Sequence, residues 1–187
     1  MKRILCLALF VALALAAPVF AANAPDKSGE IGFDVAQANV SSSDTTGVDS
    51  AQFLGVRGGY QINKQWQVEG QFASSSENGS ISGTDVNTKM QLFMVNGVMN
   101  FHPRKKEYVP YVMAGVGQAD ISVDSTGARA SDTSMAYQIG GGTRIYFGKT
   151  QRMAFRTDVS LLRQNTFSAS STLTTVTAGM TWKLGGR

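Results

Sequence analysis

The chain has 187 residues, with 17 Lys plus Arg against 13 Asp plus Glu, 20 glycines, one His and one Cys. A formal charge of +4 spread over a chain that is only 16% charged marks no nucleic-acid partner, and one cysteine, Cys6, excludes a disulfide framework. The single histidine, His102, stands alone, and no His, Cys or carboxylate cluster has metal-ligand spacing, so neither a metal, a cofactor nor a catalytic constellation is expected.

At the N-terminus Lys2 and Arg3 precede an apolar run from Ile4 to Ala17, followed by Pro18 and the segment VFAAN. This is the pattern of a secretory signal peptide over residues 1–21, cut after Ala21 with Val19 and Ala21 at the small positions. Cys6 leaves with it, and loss of Lys2 and Arg3 takes the formal charge from +4 to +2. Residues 22–187 then form one domain. No later stretch is apolar for long enough to make a membrane-spanning helix, so a chain that crosses a membrane here does so as a barrel.

Eight strand-like segments follow, at 30–40, 51–62, 66–75, 87–101, 108–120, 134–147, 152–164 and 172–184. The second sets Leu54, Val56, Tyr60 and Ile62 on one face and Arg57 with Gly55, Gly59 and Gln61 on the other; the third opposes Trp66, Val68 and Phe72 to Gln67, Glu69 and Gln71. The sixth divides Tyr137, Ile139, Ile145 and Phe147 from Gln138, Gly140, Gly142 and Arg144, and the seventh Met153, Phe155, Val159 and Leu161 from Arg156, Asp158 and Ser160. The last carries Val176, Ala178, Met180, Trp182 and Leu184 at every second position. Helical periodicity is nowhere convincing, so the class is all-β.

The connections alternate in length. Residues 41–50, 75–86, 121–133 and 165–171 are long and polar, whereas 63–65, 102–107 and 148–151 are short. In an up-and-down barrel this puts every long loop at one end and every short turn, with both termini, at the other, as in outer-membrane barrels. Aromatic residues gather at the short-turn end: Tyr60, Trp66, Phe101, Tyr108, Phe147, Phe155 and Trp182 read as an interfacial girdle.

The segments YVPYVMAGVGQADI, AYQIGGGTRIYF and AFRTDVSLLR, with the final alternating strand, make the chain resemble the small eight-stranded outer-membrane β-barrels of the OmpA and OmpX type, the outer membrane protein β-barrel domain group. The resemblance spans the whole mature chain. It implies an antiparallel up-and-down transmembrane barrel, preceded by a cleaved signal peptide, in the cell outer membrane among lipid and lipopolysaccharide. Members usually close the last strand on a terminal aromatic that the barrel assembly machinery is thought to read. Here Leu184 stands near that place, with Gly185, Gly186 and Arg187 after it.

A charge on the lipid face is costly, so the charge-bearing faces line the interior. Eight strands leave an interior that side chains fill, and Arg57, Arg144, Arg156 and Lys183 then need Glu69, Asp158 and Asp34 as partners. The expectation is a barrel plugged by charged side chains. His102 lies at the short-turn end, away from where hydrolytic barrels place their His and Ser, and GVGQAD and GGGTR open no helix. The sequence therefore points to a non-catalytic monomer with a structural or surface-interaction role, its polar loops displayed to an extracellular ligand. The alternatives are a narrow pore for ions or small solutes, or a soluble lipocalin-like carrier with an apolar calyx.

Overall fold

The structure, a computed structural model, describes residues 28–41, 50–81, 84–101, 107–125, 128–148, 150–166 and 169–184. The signal segment, His102 with the basic turn 104–106, and residues 185–187 lie outside the described residues. Eight strands are present: β1 (Ser28–Ser41), β2 (Ser50–Gln61), β3 (Trp66–Ile81), β4 (Thr84–Asn100), β5 (Tyr108–Ser125), β6 (Ala128–Phe147), β7 (Met153–Thr166) and β8 (Ala169–Leu184). Each pairs antiparallel with the next, and β8 pairs with β1 to close the barrel.

Closure satisfies every edge, which is the condition for strands to sit in lipid. Following partners once around the wall from Glu30 through Gly59, Glu69, Asn96, Gly115, Gln138, Leu162 and Leu173 arrives at Val40, ten residues further along β1. That stagger tilts the strands and fixes which side chains share a level.

The outer wall is apolar. Ile31, Phe33, Leu54, Val56, Phe72, Phe93, Val116, Ile139, Phe155, Val159 and Val176 all point out and are exposed, Leu54 by 70%. The inward positions of the same strands include buried Arg57, Glu69, Arg144, Arg156 and Asp158. A barrel with charges inside and a continuous apolar belt outside is inverted relative to a protein that folds in water, and lipid is the solvent that fits it. The belt ends below at Trp66, Phe101, Tyr108 and Phe147 and above at exposed Gln52, Gln91 and Gln118. Gln91 to Phe101 and Tyr108 to Gln118 each span eleven residues, in line with the roughly 9–11 residues a tilted strand needs to cross a bilayer core.

One expectation is corrected. The stretches 75–86, 121–133 and 165–171, read as loops, are largely strand: β3 and β4 are separated by 82–83, β5 and β6 by 126–127, and β7 and β8 by 167–168. Only 42–49 parts two strands widely at this end. Polar or small residues dominate both faces of these stretches, so the ladder continues while the period-two signal fades. At the other end the connections are short and pinned. The Asn63 Oδ1 accepts from the backbone N–H groups of Gln65 and Trp66, both at 2.8 Å, and Gly148, at φ +82°, opens the β6–β7 turn in a conformation suited to glycine.

Candidate functional site in the barrel interior

The inward faces divide into two levels. Toward the short-turn end, side chains from six strands converge on Glu69 of β3. Arg156 of β7 binds both its carboxylate oxygens, with Nη2 at 3.1 Å from Oε1. Arg57 of β2 reaches Oε1 at 3.3 Å, and Arg144 of β6 lies 3.6 Å from Oε2. Arg57 also binds Asp34 of β1 through Nε and lies 3.6 Å from Asp158. Arg144 meets Glu30 at 3.2 Å and donates to Asn100 Oδ1 at 2.7 Å.

Tyr111 of β5 completes the cluster. Its hydroxyl donates to Asp158 Oδ2 at 2.8 Å and accepts from Arg156 Nε at 2.7 Å. The guanidinium carbons of Arg144 and Arg156 lie 4.5 and 4.6 Å from its ring centroid, so the ring face attracts two cations that would otherwise repel.

The geometry follows from sequence through the pleat. Arg144 and Arg156 are direct ladder partners, like charges side by side. Such a pair is unfavourable unless an anion faces it, and Glu69 supplies one from across the lumen. Space for this is made by glycine: a Cβ on Gly55 would collide with the Asp34 carboxylate, and one on Gly142 would come within 2.6 Å of Asp158 Cβ.

Toward the opposite end the lumen is filled by Ala36, Phe53, Met90, Leu92, Met94 and Leu162, packed with Ala38, Ala73, Ala119, Ala136 and Leu173. All are buried, Met94 completely. Between the two levels lies a belt of amides and hydroxyls, in which Asn96 Nδ2 approaches Gln71 Oε1 at 3.5 Å and Gln138 Nε2 donates to Ser160 Oγ at 2.9 Å.

The structure thus brings together Arg57, Glu69, Arg144, Arg156, Asp158 and Asp34, all placed inward by sequence. Lys183 is also inward, opposite Glu30 in the ladder, but its ammonium rests 4.2 Å from the ring centroid of Tyr146. It stands beside the cluster, because its level lies nearer the rim than Glu69. Of the aromatic set, Trp66, Phe101, Tyr108 and Phe147 are exposed at the last residues of their strands or next to them, and Tyr60 and Trp182 are half-buried. Trp182 packs edge-on to Phe33 with centroids 6.2 Å apart. Phe155 departs from the set: it pairs with Ile145 and Met180, two residues further in than the Phe147–Met153 pair.

Sequence reasoning missed Tyr111, Glu30, Asn100 and the whole apolar level. In β4 and β5 both faces are apolar where the interior is apolar, as in Met90-Gln91-Leu92-Phe93-Met94-Val95, so alternation gives no inside and outside there. Tyr111 shares its face with Met113 and was indistinguishable from an apolar filler. Its only signal was a ring with a hydroxyl, which seeks a partner when buried.

Comparison with known proteins agrees with this architecture. The family model described as "Outer membrane protein beta-barrel domain" matches residues 7–185. Among solved structures, the Neisserial surface protein A is similar with a TM-score of 0.69 at 17% identity, covering 83% of this chain and 97% of that one. Ail, the attachment invasion locus protein of Yersinia pestis, is similar with a TM-score of 0.58 at 18% identity, covering 85% and 99%. The N-terminal β-barrel domain of OprF from Pseudomonas aeruginosa is similar with a TM-score of 0.54 at 13% identity, covering 83% and 99%. At these identities the likeness is one of fold. A sequence comparison with curated proteins finds no match. With an inverted eight-stranded barrel and a family model matched over nearly its whole length, the chain belongs to the outer membrane protein β-barrel domain family, and its place is the cell outer membrane.

Proposed function

We propose that the protein is a non-catalytic, non-conducting barrel that holds polar β-hairpins at the cell surface, with a structural or adhesion-like role toward an extracellular ligand. One observation carries this reading: the lumen is closed twice, by the ion cluster around Glu69 and by the apolar level around Met94. An ion crossing the barrel would have to part the first and desolvate in the second, which disfavours the narrow-pore alternative. The apolar outer belt disfavours the lipocalin-like carrier, whose outside must be wetted.

The outward display has a structural basis in β3 to β6. Pairing of β2 with β3 stops at Leu54–Ser74 and pairing of β6 with β7 at Ala136–Gln164, while β3–β4 and β5–β6 pair on to Ile81–Thr84 and Ser125–Ala128. Four strands therefore project past their neighbours as a polar sheet. Ail, one of the similar structures, is described as an attachment invasion locus protein and has been crystallised with the heparin analogue sucrose octasulfate; a surface ligand for the present chain is proposed on that likeness and on the projecting sheet.

In this reading the signal peptide over 1–21 exports the chain, the barrel assembly machinery inserts it as a monomer, and the aromatic end sits at the periplasmic interface with lipopolysaccharide around the other. Planar-bilayer recording on folded protein tests the closed lumen. No sustained current is expected. Reproducible single-channel steps whose size or ion preference changes in Arg156→Ala or Asp158→Ala would overturn it in favour of a pore.

A further inference from the structure

Past the lipid boundary the sheet of β3 to β6 reverses its polarity. Its ladders run without a bulge from the membrane toward the hairpin tips, so the faces do not exchange, and residues on the face of Glu69 and Tyr111 below share it with Glu77 and Val123 above. The outward rows there are polar throughout: Ser74–Gln91–Asp120–Thr133 and then Ser76–Lys89–Ser122–Ser131. The inward rows are Ser75–Met90–Ile121–Asp132 and Glu77–Thr88–Val123–Ala130, and every apolar side chain of the four rows lies on this face. In the membrane, lipid takes the apolar face outside; here water takes the polar one, and the apolar residues turn toward the barrel axis.

That inward face is open. Ile121 packs on the apolar level around Met94, yet it and Val123 are both half-exposed. Strand β2 leaves β3 after Leu54–Ser74 and β7 leaves β6 after Ala136–Gln164, so Glu77 and Asp132 edge the face beyond the last ladder partner on either side. Each carboxylate is oriented by a backbone donor: Glu77 Oε1 accepts from Gln52 N–H at 3.0 Å, and Asp132 Oδ1 from Thr133 N–H at 2.9 Å. Among the described residues the inward positions past these points carry no cation, and Lys89 and Arg163 point outward. The face is an apolar strip flanked by two fixed anions. Glu77 and Asp132 stand on strands three spacings apart, roughly 14 Å along the sheet, which accommodates the about 10–12 Å breadth of a helix with its side chains.

We propose that this inward face is the ligand site of the projecting sheet and that its ligand is a cationic amphipathic peptide segment of an extracellular partner. The segment lies as a helix with its apolar stripe on Ile121 and Val123 and its Lys or Arg side chains at Glu77 and Asp132. The inference rests on the surface-ligand reading above and names the partner's chemistry. Charge selects the occupant. A lipid chain or a neutral apolar segment would take water from the two anions without replacing it, and an anionic segment would be repelled. The outward face offers no apolar anchor, and polar contacts at an open surface contribute little by themselves.

The test is fluorescence anisotropy of a labelled Leu–Lys helical peptide added to the full-length barrel folded in phosphatidylcholine vesicles, with empty vesicles as the blank. Binding above the blank that weakens as salt is raised is expected. Val123→Ser should lower the affinity roughly fivefold by removing apolar contact, and Val123→Leu should keep it. Glu77→Gln with Asp132→Asn retains an oxygen for each backbone donor and removes both charges; it should also lower the affinity roughly fivefold, the strength of two exposed ion pairs. The outward variant D120N/D124N should bind like the parent. Heat-modifiable migration on a gel checks that each variant is inserted. Absence of binding beyond the blank overturns the proposal, as does binding unaltered in both inward variants or weakened equally in the outward one. A Leu–Gln peptide that binds as tightly as the Leu–Lys peptide would overturn it in favour of an uncharged occupant. A sulfated polysaccharide that binds the parent where the peptide does not would overturn the cationic partner and leave the surface-ligand reading standing, whereas failure of both probes would count against both.

Discussion

The lower lumen, around Glu69, and the upper lumen, around Met94, are enclosed by the same eight strands yet filled in opposite ways. The first is ionic, its members drawn from strands that face each other across the barrel; the second is packed Ala, Met, Leu and Phe with no charge. The apolar level draws on dispersion and the absence of water, and its failure mode is a cavity. The ionic level depends on every charge keeping its partner, and its failure mode is an orphaned ion. A narrow barrel can thus be closed by either chemistry, and this one uses both in series, with an amide belt between them to match polarity.

The largest expected effect comes from striking the hub of the ionic level. Glu69→Ala leaves Arg57, Arg144 and Arg156 without their shared anion and should cost about 3–5 kcal/mol, read as a lower denaturant midpoint for loss of heat-modifiable migration. An unchanged midpoint would show that the three guanidiniums are neutralised by other groups and would erase the distinction between the levels. Met94→Ala, the parallel blow to the apolar level, should cost about 2–5 kcal/mol by leaving a void. Refilling sharpens the contrast: Met94→Leu should recover most of the loss, whereas Glu69→Leu should recover none.

The outer wall gives a reference for both. Val159→Arg places a charge on the lipid side and should cost roughly 2–4 kcal/mol, although Arg156, only three residues away on β7, is tolerated because it faces Glu69. If the Val159 variant were as stable as the parent in bilayers, the assignment of the faces would be inverted. Smallest is Tyr111→Phe, which keeps the ring beneath two guanidiniums and removes the hydroxyl shared by Arg156 and Asp158. A loss of about 1–3 kcal/mol is expected for the unmade hydrogen bonds, and a negligible loss would assign the holding of Arg144 and Arg156 to the ring face alone.

Barrel architecture was legible because lipid imposes period two on any strand whose other face is polar. The register of β2, β3, β6, β7 and β8 could be read wherever a charge marked the interior: Arg57, Glu69, Arg144, Arg156 and Asp158 are all buried, and Leu54, Val159 and Val176 all point out. Polar segments beyond the membrane were misread as loops for the complementary reason. With polar or small residues on both faces of 75–81 and 128–133, no alternation survives to announce a strand, and only the ladder between neighbours shows it.

Strand number, faces and the presence of a charged interior were therefore local properties, set by which solvent each side chain meets at its own position. Which charges meet which was not. Glu69 and Arg156 are 87 residues apart in sequence, and their contact depends on a ten-residue stagger accumulated around the closed wall. The apolar upper level was equally beyond local reading, since a strand between lipid and an apolar lumen is apolar on both faces. Only closure of the barrel, by fixing the level at which each inward side chain stands, separates the ionic half of the interior from the apolar half.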